Sequence, residues 1–241
     1  MNTYLAVNIP KFLKPFCDSF YKNFIVKDRY QYLIDGLVNT LKVTICAVLL
    51  GILIGFLVGI IRSTYDNTGK LKILNAICKV YLTVIRGTPV VVQLLLIYYG
   101  IFRTANVDKL IVAIVAFGIN SGAYVAEIIR SGIMSIDQGQ FEAGRSLGFN
   151  YIQTMRYVIM PQAVKNVLPA LGNEFIVLLK ETSVAGYLSI QDLTKGGDII
   201  RSQTYAPFMP MIGVAVIYLV LVMIFSYFVQ KLERRLNNGS H

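Results

Sequence analysis

The chain has 241 residues, 55% of them hydrophobic and 15% charged, with a mean hydropathy of +0.60. No water-soluble core of this length needs so much apolar material, so lipid-facing helices are expected. The formal net charge of +10 would suggest nucleic acid for a soluble protein, but in a membrane chain it is read by where Lys and Arg sit relative to the spans.

The first thirty residues lack the order of a secretory signal peptide, a basic start followed by an apolar core and a small-residue cleavage site, so the N-terminus is expected to be retained. Within residues 1–31, Phe12, Phe16, Phe20 and Phe24 recur every four residues between Lys11, Lys14, Asp18 and Lys22. That spacing predicts an amphipathic helix lying in the membrane interface or packed on its own domain, with Pro15 confined to the first turn. Val43 to Ile61 then runs 19 residues without a charge, enough to cross a hydrocarbon core about 30 Å thick. Gly51, Gly55 and Gly59 mark one face of this span for close helix packing, within the chain or between subunits.

A second span, Ile73 to Phe102, carries Lys79 and Arg86 and is interrupted at Gly87-Thr88-Pro89, where the proline is expected to kink or unwind it. Such a break has a packing role or exposes backbone dipoles to a ligand. In the third span, Leu110 to Ile129, residues Asn120, Tyr124 and Glu127 share a face. Glu127 is a candidate for a polar path or for a structural pair with Arg130, three residues on. The fourth, Val167 to Ile190, places Pro169 and Gly172 before Asn173 and Glu174, an expected loosening of the helix beside a deep acid. Pro207 to Gln230, 24 uncharged residues, completes a count of five spans. With the N-terminus outside, Arg62, Lys70, Arg130, Arg145, Arg156, Lys165 and the Lys231-to-Arg235 cluster all fall inside, which favours N-out, C-in; counting the basic tail nearly erases the bias.

Between the third and fourth spans lies a polar interruption, 138–161. Gln138 to Leu147 is expected to be a short helix stopped by Gly148, and Asn150 caps a second helix with Gln153 at its third position. Ile152, Met155 and Ile159 would share its apolar face. The unit suits docking into a soluble partner; a DNA-reading helix-turn-helix and a partnerless connector are the weaker readings. Catalytic motifs and a phosphate-binding loop are absent from the sequence, and Cys17, Cys46 and Cys78 have no metal-type spacing. The one histidine, His241, closes a GSH terminus read as part of an expression remnant within the tail 236–241.

At Glu142-Ala143-Gly144, Gly148, Val158, Met160 and Pro161 the sequence resembles the EAA loop of bacterial ABC importer permeases, with Gly144, Val158 and Met160 as mild departures. RGTP at 86–89, INSGAYVAEIIRSGI at 119–133 and LPALGNEFIVLLKETS at 168–183 are similar to the permeases for polar amino acids, the histidine/glutamine/arginine group, and the likeness runs from Tyr32 to Arg235. The resemblance implies an all-α integral membrane protein of the type I importer fold. It has five transmembrane helices, N-out/C-in, over 32–235, and the segment 138–161 is its cytoplasmic coupling helix.

It also implies that Glu142, Ala143, Gly144, Arg145 and Gly148 couple to an ATP-binding cassette subunit, which alone binds ATP and magnesium. Further expected partners are a second permease copy or sister, an extracytoplasmic solute-binding protein and the lipid bilayer of the bacterial cytoplasmic membrane, with no metal, no cofactor in this chain and no nucleic acid. A polar amino acid would place its carboxylate against Arg86 or the backbone beyond Thr88, and its ammonium or side chain against Asn120, Tyr124, Glu127 or Glu174. The rival reading is an ion-coupled secondary transporter or channel subunit using Glu127 or Glu174 as a relay. A membrane scaffold without transport is a third.

Overall fold

The structure, a computed structural model, describes residues 14–104 and 106–238. All regular structure among them is helical. Phe12, Lys11 and the GSH terminus lie outside the described residues.

Helix α1, Lys14–Phe20, continues as a π-helical turn to Ile25 and has Pro15 in its first turn. Its stripe is divided. Phe24 is buried against Leu33, Gly213 and Val214, whereas Phe16 and Phe20 remain exposed. Helix α2, Tyr30–Thr68, has 39 residues and so extends about 58 Å, well beyond one hydrocarbon core. Helix α3, Lys72–Gly87, and α4, Val90–Leu96 with a π-helical extension to Ile101, meet at a bend of 110°. Helix α5 is Lys109–Met134. The polar segment forms α6, Gln138–Ser146, and α7, Tyr151–Thr154, which passes through a π-helical turn, Met155–Ile159, into α8, Met160–Glu181. A 3₁₀ stretch, Thr182–Leu188, leads to α9, Leu193–Thr204, and α10, Met209–Asn238.

Among the described residues three helices, α2, α5 and α10, are each long and apolar enough to cross a membrane, and the bent α3–α4 pair qualifies as a fourth span. The break expected at Thr88-Pro89 is therefore present. Helix α8 has the length of a span with 22 residues, but Lys165, Glu174 and Lys180 make it less apolar. It runs through Pro169 without interruption, so the expected loosening does not break the helix.

The glycine face of α2 explains the core of the bundle. A Cβ on Gly51 would lie 2.9 Å from the Ser121 Cβ, and one on Gly59 would lie 2.9 Å from the Ile129 Cγ2. In return Leu50 and Ile54 press onto Gly118 and Gly122 of α5. The two helices thus run parallel with backbones in close approach, so the small-residue stripe serves a contact within the chain. Across them, Val43, Leu94, Phe117 and Leu178 bring α2, α4, α5 and α8 into one apolar cluster. Helix α10 leans on α8 and α9 and leaves most of its apolar surface unburied, as a lipid-facing helix does.

These contacts define two ends. The C-terminal ends of α2 and α5 meet the α6–α7 segment at one end, where Phe141 and Tyr151 share a cluster with Ile60, Ile129 and Ile133; there Asn67 of α2 reaches Met134 of α5, and Asn166 of α8 donates to Ser135. At the other end α9 packs against the start of α2 and α10: the Asn39 amide donates to the Gln191 carbonyl, and the Leu193 N–H to the Thr40 hydroxyl.

Candidate functional site

The α6–α7 segment is built by local chemistry. The Asp137 carboxylate accepts from the Gly139 N–H at 2.6 Å and starts α6. Gly148, at φ +80°, ends it: its N–H donates to the Arg145 carbonyl at 2.9 Å and the Phe149 N–H to the Gly144 carbonyl at 3.1 Å, a Schellman closure. Asn150 and Gln153 form a complete capping box, each accepting the other's backbone N–H at 2.9 Å. Phe141 anchors the unit in a cluster with Ile133 and Ile159.

Gly144, one of the departures from the family pattern, has a packing reason. A Cβ there would lie 2.6 Å from the Thr154 Cγ2, so a threonine of α7 occupies the space an alanine would need. Glu142, Ala143 and Arg145 point outward, with no ion pair to Glu142 or Arg145 among the described residues. Leu147 and Ile152 are each 73% exposed. The apolar face expected of α7 is thus corrected at one position: Met155 and Ile159 turn inward, and Ile152 turns out, because the π-helical turn at 155 shifts the register of the face.

The intramembrane polar residues separate into two groups. Arg86, Tyr124, Glu127 and Glu174 come together. The Arg86 Nη1 stands 3.6 Å from the Glu127 Oε2, and its guanidinium lies 5.7 Å from the Tyr124 ring centre. Arg130 pairs with Glu127 at 3.5 Å, as the three-residue spacing predicts, and with Asp66 of α2 at 3.4 Å. These are long, partly hydrated ion pairs, each worth less than about 1 kcal/mol. Arg86 keeps 43% of its side chain exposed, so most of its five donors remain available.

Two clefts adjoin at Arg86, Tyr124 and Glu127. One, of about 570 Å³, adds Arg62 and Lys79 to its walls and carries an excess of positive charge. The other, of about 520 Å³, adds Ser131, Asn166 and Glu174 and carries an excess of negative charge. Glu174 is only 8% exposed and accepts a hydrogen bond from the Ser121 hydroxyl at 2.8 Å. Side by side, the clefts present one wall with an excess of cations and one with an excess of acids, joined at Arg86, Tyr124 and Glu127.

Thr88 and Asn120 belong elsewhere, to a lock that holds the helix break. Pro89 has no N–H to offer the Ile85 carbonyl, and the Val92 N–H turns to the Pro89 carbonyl instead of to Thr88. The buried Gln93 amide fills both vacancies, donating to the Ile85 carbonyl at 2.7 Å and the Thr88 carbonyl at 3.0 Å. It also lies 2.8 Å from the Thr88 hydroxyl, and its oxygen accepts from the Asn120 amide of α5 at 3.0 Å. Neither Thr88 nor Asn120 lines the two clefts; both take part in the lock at the helix break.

Gln93, Ser121 and Arg62 are not among the site residues expected from the sequence. For Gln93 the signal was available, because it lies four residues after a proline inside an apolar run. Ser121 and Arg62 depend on which helix lies opposite, and no local pattern carries that.

The family model described as "Binding-protein-dependent transport system inner membrane component" matches residues 47–238. The glutamine transport system permease protein GlnP of Escherichia coli K12 is 40% identical over 167 residues, covering 68% of this chain and 76% of that protein. A putative glutamine transport system permease protein of Rickettsia typhi is 37% identical over 207 residues, covering 85% and 93% respectively. Among solved structures, a crystal structure of an amino acid ABC transporter with histidines is similar at 46% identity and a TM-score of 0.80, covering 88% of this chain and 98% of that one. An inward-facing MetNI methionine ABC transporter structure shares the fold, with a TM-score of 0.71 at 21% identity.

Proposed function

The chain belongs to the binding-protein-dependent transport system inner membrane components, as a permease for amino-acid import, and from that premise we propose that it carries a polar amino acid inward by ATP-driven alternating access. Five spans are counted in this reading, with the bent α3–α4 pair as the second and α8 as the fourth, over a transmembrane domain 32–235 flanked by the tails 1–31 and 236–241. The α6–α7 end is cytoplasmic, giving N-out and C-in in the bacterial cytoplasmic membrane. Its outward Glu142, Ala143, Arg145, Leu147 and Ile152, on a rigid capped unit closed by Gly148 and fitted at Gly144, supply the face for an ATP-binding cassette subunit, which holds ATP and magnesium. A second permease, identical or sister, completes the pore, and a solute-binding protein delivers the substrate at the opposite end.

The observation that carries the substrate reading is the pair of adjoining clefts of opposite charge. Arg86 receives the carboxylate, where its planar fork matches two oxygens. Glu127 and Glu174 face the ammonium and a cationic or amide-bearing side chain, and Tyr124 stacks between them. The names of the similar permeases point to glutamine as a first candidate.

Reconstitution with candidate ATPase and binding proteins, scanning the amino acids for stimulated ATP hydrolysis, tests the reading. A few polar amino acids should stimulate, and Glu174→Gln should change their ranking. An unchanged ranking removes Glu174 from the site. Transport that collapses with a proton ionophore at constant ATP would instead favour an ion-coupled carrier.

A further inference from the structure

A third cavity, of about 760 Å³, lies away from the two clefts, between the last turns of α2, the turn at 69–71 and the α7–α8 junction. Its walls are apolar, from Phe56, Ile60, Met155 and Met160, and its charged lining residues are Lys70 and Arg156, with no acid among them. We propose that it binds one anionic phospholipid, its phosphate between Lys70 and Arg156 and an acyl chain along Phe56 and Ile60.

Three observations favour a lipid. Depth is the first: Phe56 lies inside the charge-free run ending at Ile61, and Thr68, the end of α2, is about 18 Å further along the axis. The cavity therefore spans roughly one leaflet, from hydrocarbon to headgroup level. Continuity is the second, because Phe56 also belongs to the exposed apolar stripe of α2 with Leu49, Leu53 and Leu57, along which an acyl chain can lie. Charge is the third: two cations at the rim and no acid suit a phosphate diester without a compensating ammonium, and basic pockets between membrane helices hold anionic headgroups.

The cavity wall includes Asn150, Tyr151 and Ile152, so a bound lipid would press on the capped segment that the importer reading assigns to coupling. That consequence rests on the importer reading, whereas the lipid site itself does not.

The test releases the full chain from vesicles of equal parts phosphatidylglycerol and phosphatidylcholine and weighs the retained lipid by native mass spectrometry. Each cation near a membrane surface contributes about 1 kcal/mol, so the wild type should prefer phosphatidylglycerol by roughly 30-fold. Lys70→Gln/Arg156→Gln should approach parity, Lys70→Arg/Arg156→Lys should keep the preference, and Lys231→Gln, outside the cavity, should leave it unchanged. Equal retention by the wild type, or an undiminished preference in the double Gln variant, overturns the proposal. So does displacement of phosphatidylglycerol when an ATP-binding subunit or a second permease is added, since a protein would then be the occupant. If amino-acid-stimulated ATP hydrolysis is absent in every lipid while the preference stands, the importer reading falls and the lipid site remains.

Discussion

Gln93→Met keeps the volume and shape of the side chain while removing every hydrogen bond it makes at the helix break. Two carbonyls, of Ile85 and Thr88, lose their donor, and the Asn120 amide loses its acceptor. Hydrogen bonds between membrane helices average about 0.6 kcal/mol and reach about 1.7, while an orphaned buried acceptor costs about 1–3 kcal/mol. The variant should therefore lose about 2–4 kcal/mol. Asn120→Leu removes only the link to α5 and should cost about 1 kcal/mol. The double variant should lose less than the two single losses combined, by about 1 kcal/mol, because both changes delete the same bond. The chain has no Trp, so helical circular dichroism against SDS mole fraction is the suitable measurement. A Gln93→Met protein within about 0.5 kcal/mol of wild type, or strictly additive losses, would refute the lock.

Gly148→Ala should cost about 1 kcal/mol and weaken stimulation of ATP hydrolysis, and Gly148→Asn should restore part of both, since nothing lies within 4 Å and the strain is that of φ +80° alone; an alanine variant equal to wild type in both assays contradicts it. Gly55→Ala brings a Cβ to 2.8 Å from the Ala126 backbone nitrogen and should cost about 1–3 kcal/mol by forcing α2 and α5 apart, whereas Gly100→Ala meets nothing within 4 Å and should not. Melting temperatures of the two glycine variants separate a packing effect from a general intolerance of alanine. At the end opposite α6–α7, burial pushes the Asp192 carboxyl up from 3.8 to about 6. The folded state then holds the proton more tightly than the unfolded one, so this contribution is full below about pH 3.8 and is lost as pH rises through about 6. Asp192→Asn keeps an N-cap acceptor without the charge and should be more stable than wild type by about 3 kcal/mol above pH 6, converging with it near pH 4. A pH series of melting temperatures in which the variant is the weaker at neutral pH sinks that account.

Much of this molecule was legible because its determinants are local. Charge-free runs of sufficient length at 43–61 and 207–230 can satisfy their backbone in lipid only as helices. At Gly87-Thr88-Pro89 a glycine and a proline lie within three residues, and the break falls there; Gly148, Asn150 and Gln153 close a turn with their own neighbours as partners. The resemblance to importer permeases likewise rested on short strings of residues, and its family and the all-helical importer-permease fold were borne out.

What tertiary structure alone decided was which residues share a surface. Asn120, Tyr124 and Glu127 stand on one face of α5, yet Asn120 is taken by Gln93 and buried, while the other two meet Arg86 across a cleft. Phe24 is covered by α10 and Phe16 is not, although their spacing is the same. The sequence determined the helices, their ends and the polar interruption between them, because those follow from backbone hydrogen bonding within a few residues. Partners between helices are set by shape and by what lies opposite over separations of tens of residues, and only the folded bundle decides those.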